Sequence, residues 1–231
     1  MKKTPNPASG TAAESRETPT TDSVAAVIEA IEQDIIRGRI LPTSRLIEDH
    51  LMEDYGAKRH AVRAALLELQ RLGVVVKPPH LGASLHRFDR AGLDALYHLR
   101  AVLHRSAVEL FALPIDAARL ADLVRARDAH AEAAAQGDLV AIHQTNMVFH
   151  RLFYGLCENP YLAESIRLHD WLSFPARAYG IADQGALRQA CEEHAEMVRL
   201  VQTGDRARLV ELSLAHMHRA RDIYVAKFLA A

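Results

Sequence analysis

Two groups of residues in this chain carry recognisable chemistry. The first is Lys58-Arg59-His60, followed by Arg63. Three fixed positive charges within six residues open a helical stretch, and a helix N-terminus itself attracts phosphate. Arg63 stands four residues after Arg59, so both occupy one helix face. This is chemistry for gripping a polyanion. The second group is histidine. The chain has thirteen, and nine lie after residue 90, which makes the second half the place to look for metal chemistry. Enzyme signatures do not accompany them. There is no His-Glu-x-x-His, no Glu-x-x-His pair and no Gly-x-Ser-x-Gly.

The elements that must position these groups follow from periodicity. Residues 1–21 are rich in Pro, Thr, Ser, Ala and Gly, bury too little to order themselves, and are expected to be a disordered arm. Val24, Val27, Ile28, Ile31, Ile35 and Ile36 then recur at helical spacing, with Asp22 or Ser23 as cap and Gly38 as stop. A second helix is expected from about Ile47 to Tyr55, ended by Gly56. A third starts near Lys58, carries Val62, Leu66, Leu69 and Leu72, and ends at Gly73. Val74 to Lys77 reads as a strand, residues 78–82 as a turn, and Ala83 to Arg87 as the return strand. Three helices and a hairpin make a winged helix-turn-helix over 22–88.

From residue 89 to 231 the pattern is helical, in six segments near 90–112, 116–135, 138–157, 160–178, 184–202 and 205–229. Asp138 and Asp205 serve as N-caps, and Asn159-Pro160 and Gly204 as breaks. Ala126, Ala129 and Ala133 are expected to share a closely packed face of the second segment. The fold class is therefore mainly α: a winged head followed by an all-α six-helix body.

Composition narrows the function. With 28 Lys and Arg against 29 Asp and Glu, the net charge is −1, so any DNA contact must come from a local patch. Even the head is balanced, with nine basic and nine acidic residues over 22–87, so the acids of its second helix are expected to face away from DNA. No apolar run reaches about 18 residues, which excludes a membrane-spanning helix. Two cysteines and the absence of an apolar leader core point to the cytoplasm.

The window 31–87 resembles the DNA-binding domain of the GntR family of bacterial transcription regulators. The matching residues are Ile36-Arg37-Gly38-Arg39-Ile40-Leu41-Pro42, Arg45-Leu46, Leu51, Tyr55-Gly56-Ala57, Arg59, Val62-Arg63, Ala65-Leu66, Leu69, Leu72-Gly73-Val74 and Gly82. The resemblance implies DNA contacts from Arg45, Arg59 and Arg63 and from a wing tip at His80 to Gly82, and Lys58 and His60 are expected to join them by their place at the N-terminal end of the recognition helix. The sequence departs from the family at Thr43, Lys58, Ala61 and Ala64. A glutamate usual at position 64 pairs with a neighbouring arginine, so its absence bears on the geometry of Arg63.

The second half resembles the FCD ligand-binding domain of the FadR branch, in its shorter VanR-type form. The match rests on Leu99-Arg100, Phe149-His150, Asn159-Pro160-Tyr161-Leu162, Glu193-His194, Gly204-Asp205 and His216-Met217. It implies a metal set of Asn146, His150, His194 and His216, holding a divalent transition metal such as zinc or nickel. Positions 146 and 150 share a helix face, as chelation requires. Asn146 stands where relatives have Asp, which leaves the ion's charge uncompensated and open to an anion. The resemblance also implies an acidic-effector contact at Arg100, with His104 one turn further along. Trp171, Arg177 and Tyr179 are expected in core or surface roles. His98, His130, His143, His169 and His218 are expected to be solvated.

The expectation is a cytoplasmic, homodimeric regulator, most often a repressor in such families. It binds a near-palindromic double-stranded operator under control of a small carboxylate, with no membrane partner and no enzymatic activity. The competing classes are a metal-dependent enzyme built on the histidines and a DNA-binding protein without effector.

Overall fold

The computed structural model describes residues 23–42 and 44–230. The expected arm at 1–21, the alternative cap Asp22 and the departure at Thr43 lie outside the described residues. The head is built from α1 (Val24–Ile36), α2 (Glu48–Tyr55) and α3 (Arg59–Arg71). Ser23 caps α1 by accepting from the Ala26 amide at 3.1 Å. Val27, Ile31 and Ile35 of α1 and Ala61, Val62 and Ala65 of α3 are wholly buried. Gly56 adopts φ 57° after α2, and the chain re-enters a helix three residues later, at Arg59. A left-handed residue at that corner is what lets two helices meet across so short a turn.

Three strands complete the head: β1 (Arg45–Leu46), β2 (Val75–Val76) and β3 (Ala83–Leu85). β3 lies between the other two and is antiparallel to both, with Arg45 opposite Ser84 and Val75 opposite Leu85. The hairpin expected from sequence is β2–β3. The edge strand β1 was not expected, because two residues are too few to show a period.

Six helices form the body: α4 (Arg90–Glu109), α5 (Ala117–Gln136), α6 (Leu139–Gly155), α7 (Pro160–Arg177), α8 (Gln184–Thr203) and α9 (Arg206–Tyr224). Each starts on an Asp or Asn whose side chain accepts from the first-turn amides: Asp89, Asp116, Asp138, Asn159, Asp183 and Asp205. Six N-caps, each worth about 1 kcal/mol, explain why the boundaries follow the sequence so closely.

Head and body share one apolar core. A continuous cluster runs from Ile31 and Leu69 through Phe88 at the joint to Leu93, Tyr97, Phe174 and Tyr224. Polar contacts pin the same seam. The Tyr179 hydroxyl donates to the Ile40 carbonyl at 3.1 Å, and the Phe88 amide donates to the Tyr224 hydroxyl at 3.3 Å. His143 Nε2 of α6 donates to Glu32 Oε1 of α1 at 3.0 Å. Gly73 ends α3 at φ 77° against Leu172 of α7, where a β-carbon would collide. No helix among the described residues is long and apolar enough to cross a membrane.

Candidate functional site

The first site lies at the N-terminal end of α3. Lys58 is its N-cap residue, and Arg59, His60 and Arg63 are exposed in its first turns. Arg45 is exposed on β1, three residues before Glu48. The wing tip turns through His80 at φ 63° and Gly82 at φ 76°, both exposed. Two of the four acids of α2, Glu48 and Asp49, do not face away, against the expectation drawn from charge balance. Arg63 Nε donates to Glu48 Oε2 at 2.7 Å, and an Arg59 amino group donates to Asp49 Oδ1 at 2.7 Å. The reason is local. Glu48 and Asp49 sit in the first turn of α2, where the helix dipole favours carboxylates, beside the start of α3. Glu48 therefore supplies the partner that the residue at Ala64 lacks. The two arginines remain 50% and 62% exposed, so these pairs are worth at most about 1 kcal/mol each. A phosphate or a guanine edge can replace the carboxylates cheaply.

The second site lies inside the body. His150 of α6, His194 of α8 and His216 of α9 bring their ligand atoms within 4.8 Å of one another. His216 Nε2 is 3.3 Å from His194 Nε2 and 3.2 Å from His150 Nε2. Neighbouring nitrogens around a tetrahedral ion at ordinary Zn–N lengths sit about 3.3 Å apart. Burial holds His150 and His194 well below the usual histidine range, which favours the neutral ring with one nitrogen lone pair free. Three rings whose ligand nitrogens converge on one point form a donor set for a cation. His216 Nδ1 donates to Glu193 Oε2 at 2.7 Å, which fixes the tautomer that leaves Nε2 free. Burial pushes Glu193 up, but its bonds from His216 and Arg219 outweigh this and bring it down to about 2. The expectation that no carboxylate compensates this centre is thus corrected: Glu193 stands behind His216, while Arg219 engages the same carboxylate.

Asn146, His104, Arg100 and Arg177 line the same small cavity of about 130 Å³. His104 is buried, with Nδ1 2.7 Å from the Tyr154 hydroxyl. Arg100 is only 3% exposed and is no free cation. It donates to Asp170 Oδ1 at 2.6 Å and to the Ser173 hydroxyl.

Several histidines expected in solvent are not there. His130 is 2% exposed and His143 is 5% exposed, while His98 is exposed and His169 and His218 are half-buried. His130 lies on the buried face of α5 between Ala126 and Ala133, and its ring is 4.9 Å from that of His194. Ala129, expected on that face, is exposed. The small side chains let α6 and α8 close over the ring. His143 lies on the face of α6 that also carries Asn146 and His150, and that spacing was the available signal. Tyr179 takes a packing role, Arg177 lines the cavity, and Trp171 lines a second cavity beside it. Asp170, Ser173 and Arg177 follow i, i+3, i+7 on α7, a pattern that sequence reading passed over.

Comparison with known proteins gives two matches along the chain. Residues 24–83 match the model described as "Bacterial regulatory proteins, gntR family", and residues 95–219, more than half of the chain, match the model described as "FCD domain". The HTH-type transcriptional regulator McbR of Escherichia coli is 28% identical over 129 residues, which are 56% of this chain and 58% of that protein. The chain thus spans less than two thirds of that relative. The uncharacterized HTH-type transcriptional regulator YdhC of Bacillus subtilis is 23% identical over 186 residues, covering 80% of this chain and 83% of its own length. Among solved structures, Escherichia coli McbR/YncC superposes with a TM-score of 0.73 at 22% identity, covering 89% of this chain and 98% of that one. A putative GntR regulator from a Rhodococcus species gives 0.71 at 18% identity, with the same coverage. These two structures share the fold.

Proposed function

This chain belongs to the FCD-domain family and carries the gntR-family head of bacterial transcriptional regulators, and from that premise we propose that it binds operator DNA under the control of a small carboxylate. The observation that carries the DNA reading is the exposed Arg59 and Arg63 at the N-terminal end of α3, held but not locked by Glu48 and Asp49. A helix end of this kind enters the major groove, where arginines read base edges. Arg45 and the wing tip at His80 to Gly82 flank it as backbone contacts. A two-fold dimer reads two half-sites, so the operator is a near-palindrome.

The body is the sensing half. His150, His194 and His216, with Asn146 as the oxygen donor, hold a divalent transition metal. Zinc and nickel suit three imidazoles. When bound, the ion supplies a positive charge to which a carboxylate can attach. This chain's own residues shape the rest. Glu193 orients His216, and the Arg100–Asp170–Ser173 network sets the wall. The six-helix body is consistent with the shorter VanR-type form of the domain. Among the described residues no carboxylate stands free beside the triad to act as a general base, since Glu193 is engaged by His216 and Arg219. That favours a sensor over a metal-dependent hydrolase.

The test is selection of duplexes from a random library by the full chain at about 0.15 M salt. The reading expects an inverted repeat to be enriched, with half-sites about one helical turn apart. If the chain enriches nothing beyond what a basic protein of no specificity enriches, the reading fails.

A further inference from the structure

Behind the metal-site cavity lies a second and larger one. It has a volume of about 700 Å³, against about 130 Å³ for the first. Pockets that enclose whole organic ligands run from about 300 to 1,000 Å³. The first cavity is below that range, and the second is inside it. His150, Tyr154, Asp170 and Arg177 belong to both linings and form a common wall. The floor of the larger chamber is apolar, with Met147, Ile166, Trp171 and Phe174. Its far side reaches Glu32 of α1, in the DNA-binding head.

Charges in this chamber do not balance. Each carboxylate of the lining already has a side-chain partner: Glu32 has the His143 ring, Glu164 has Arg167, and Asp170 has Arg100. Arg177 has none. It donates to the Ser173 hydroxyl at 3.2 Å and to the Asp170 backbone carbonyl at 3.0 Å, and no carboxylate among the described residues lies within ion-pairing distance. Burial pushes its guanidinium down, the sign of a cation short of compensation. Arg151, at the chamber's edge, also has no carboxylate among the described residues. Enclosing a charge is costly unless it is paired. A guanidinium is the side chain best shaped for a carboxylate.

We infer that the two cavities are one bipartite site for an amphipathic monocarboxylate, whose head meets Arg177 at the common wall and whose apolar body fills the larger chamber against α1. The inference rests on the reading of the body as a carboxylate sensor and names the class of carboxylate. It moves the anchoring role from Arg100, which Asp170 already neutralises, to Arg177. It also gives the ligand a direct path to the head, because the filled chamber presses on the Glu32–His143 contact.

The experiment is calorimetric titration of the full chain, loaded with zinc, against acetate, hexanoate and hexanamide. Each buried methylene is worth about fourfold in affinity, so hexanoate is expected to bind at least tenfold tighter than acetate. It should also exceed the neutral hexanamide by about tenfold, and Arg177→Gln should reduce that second difference several-fold, leaving only the share owed to the ion. A purely structural Arg177 would leave the acid-to-amide ratio unchanged, and that result overturns the anchor. Ala163→Trp from α7 and, independently, Val148→Trp from α6 both project into the chamber and should bring the hexanoate-to-acetate ratio toward one in protein that melts normally. If acetate binds and hexanoate gains nothing, the bipartite site is wrong while the sensing body stands. If neither acid binds, both fall.

Discussion

At the scale of single residues, the account turns on a few side chains whose surroundings decide their chemistry. Arg63 is exposed and held by Glu48 alone, so removing it disturbs no core. Arg63→Ala is expected to melt like the parent and to lose about 1–3 kcal/mol of specific DNA binding, a loss confined to the operator and absent on random duplex. Anisotropy titrations on both duplexes check it, and equal loss on both would make Arg63 a phosphate contact. Asn146 lines the histidine cavity where an aspartate would add a negative charge. Asn146→Asp should hold zinc more tightly against a competing chelator and hold a carboxylate less tightly. Unchanged zinc affinity would remove residue 146 from the ligand set. Sequence singled out His150, His194 and His216 together through their match to a family pattern, and the fold brings their ligand atoms within 4.8 Å of one another. It put His130 and His143 in solvent, because only the folded chain brings α6 and α8 over His130 and α1 against His143. Arg100 illustrates the same limit: its carboxylate lies 70 residues away on α7.

At the scale of elements, the helix boundaries were legible because each body helix begins on a capping Asp or Asn, and those residues compete locally with nothing else. The edge strand β1 was not, since its pairing with β3 is set by tertiary contact. The element that joins the two halves is α1. Its inner face packs into the head, and Glu32 reaches across to His143 of α6. Glu32→Ala should leave the operator affinity of the ligand-free chain nearly unchanged while reducing the response to ligand. The pair is largely buried, and losing Glu32 leaves the His143 N–H unpaired at a cost of about 1–3 kcal/mol, so a melting shift of several degrees is expected. Glu32→Ala protein that still responds fully would show that the signal travels through the apolar seam at Phe88 and Tyr224 instead.

At the scale of the whole molecule, the buried histidines make stability depend on pH. Burial brings His130 from 6.5 down to about 4 and holds His104, His150 and His194 well below the usual range. The unfolded chain takes up these protons at about pH 6.5, whereas the folded chain resists until much lower. Stability is therefore complete above pH 6.5 and is lost as pH falls through the window between 6.5 and about 4. Melting curves at neutral pH and near pH 5 should differ by several degrees, and His130→Phe should flatten the slope. A parallel slope in that variant would mean His130 protonates freely when folded. Zinc should steepen the slope, because protons and metal compete for the same nitrogens. The most direct measurement of the central claim joins both halves. It is the affinity of the zinc-loaded full chain for its selected operator, with and without saturating hexanoate. The account predicts a change of about fivefold or more, with hexanoate affinity shifting by the same factor when operator is bound. An operator affinity that is identical with the chambers filled and empty would contradict it.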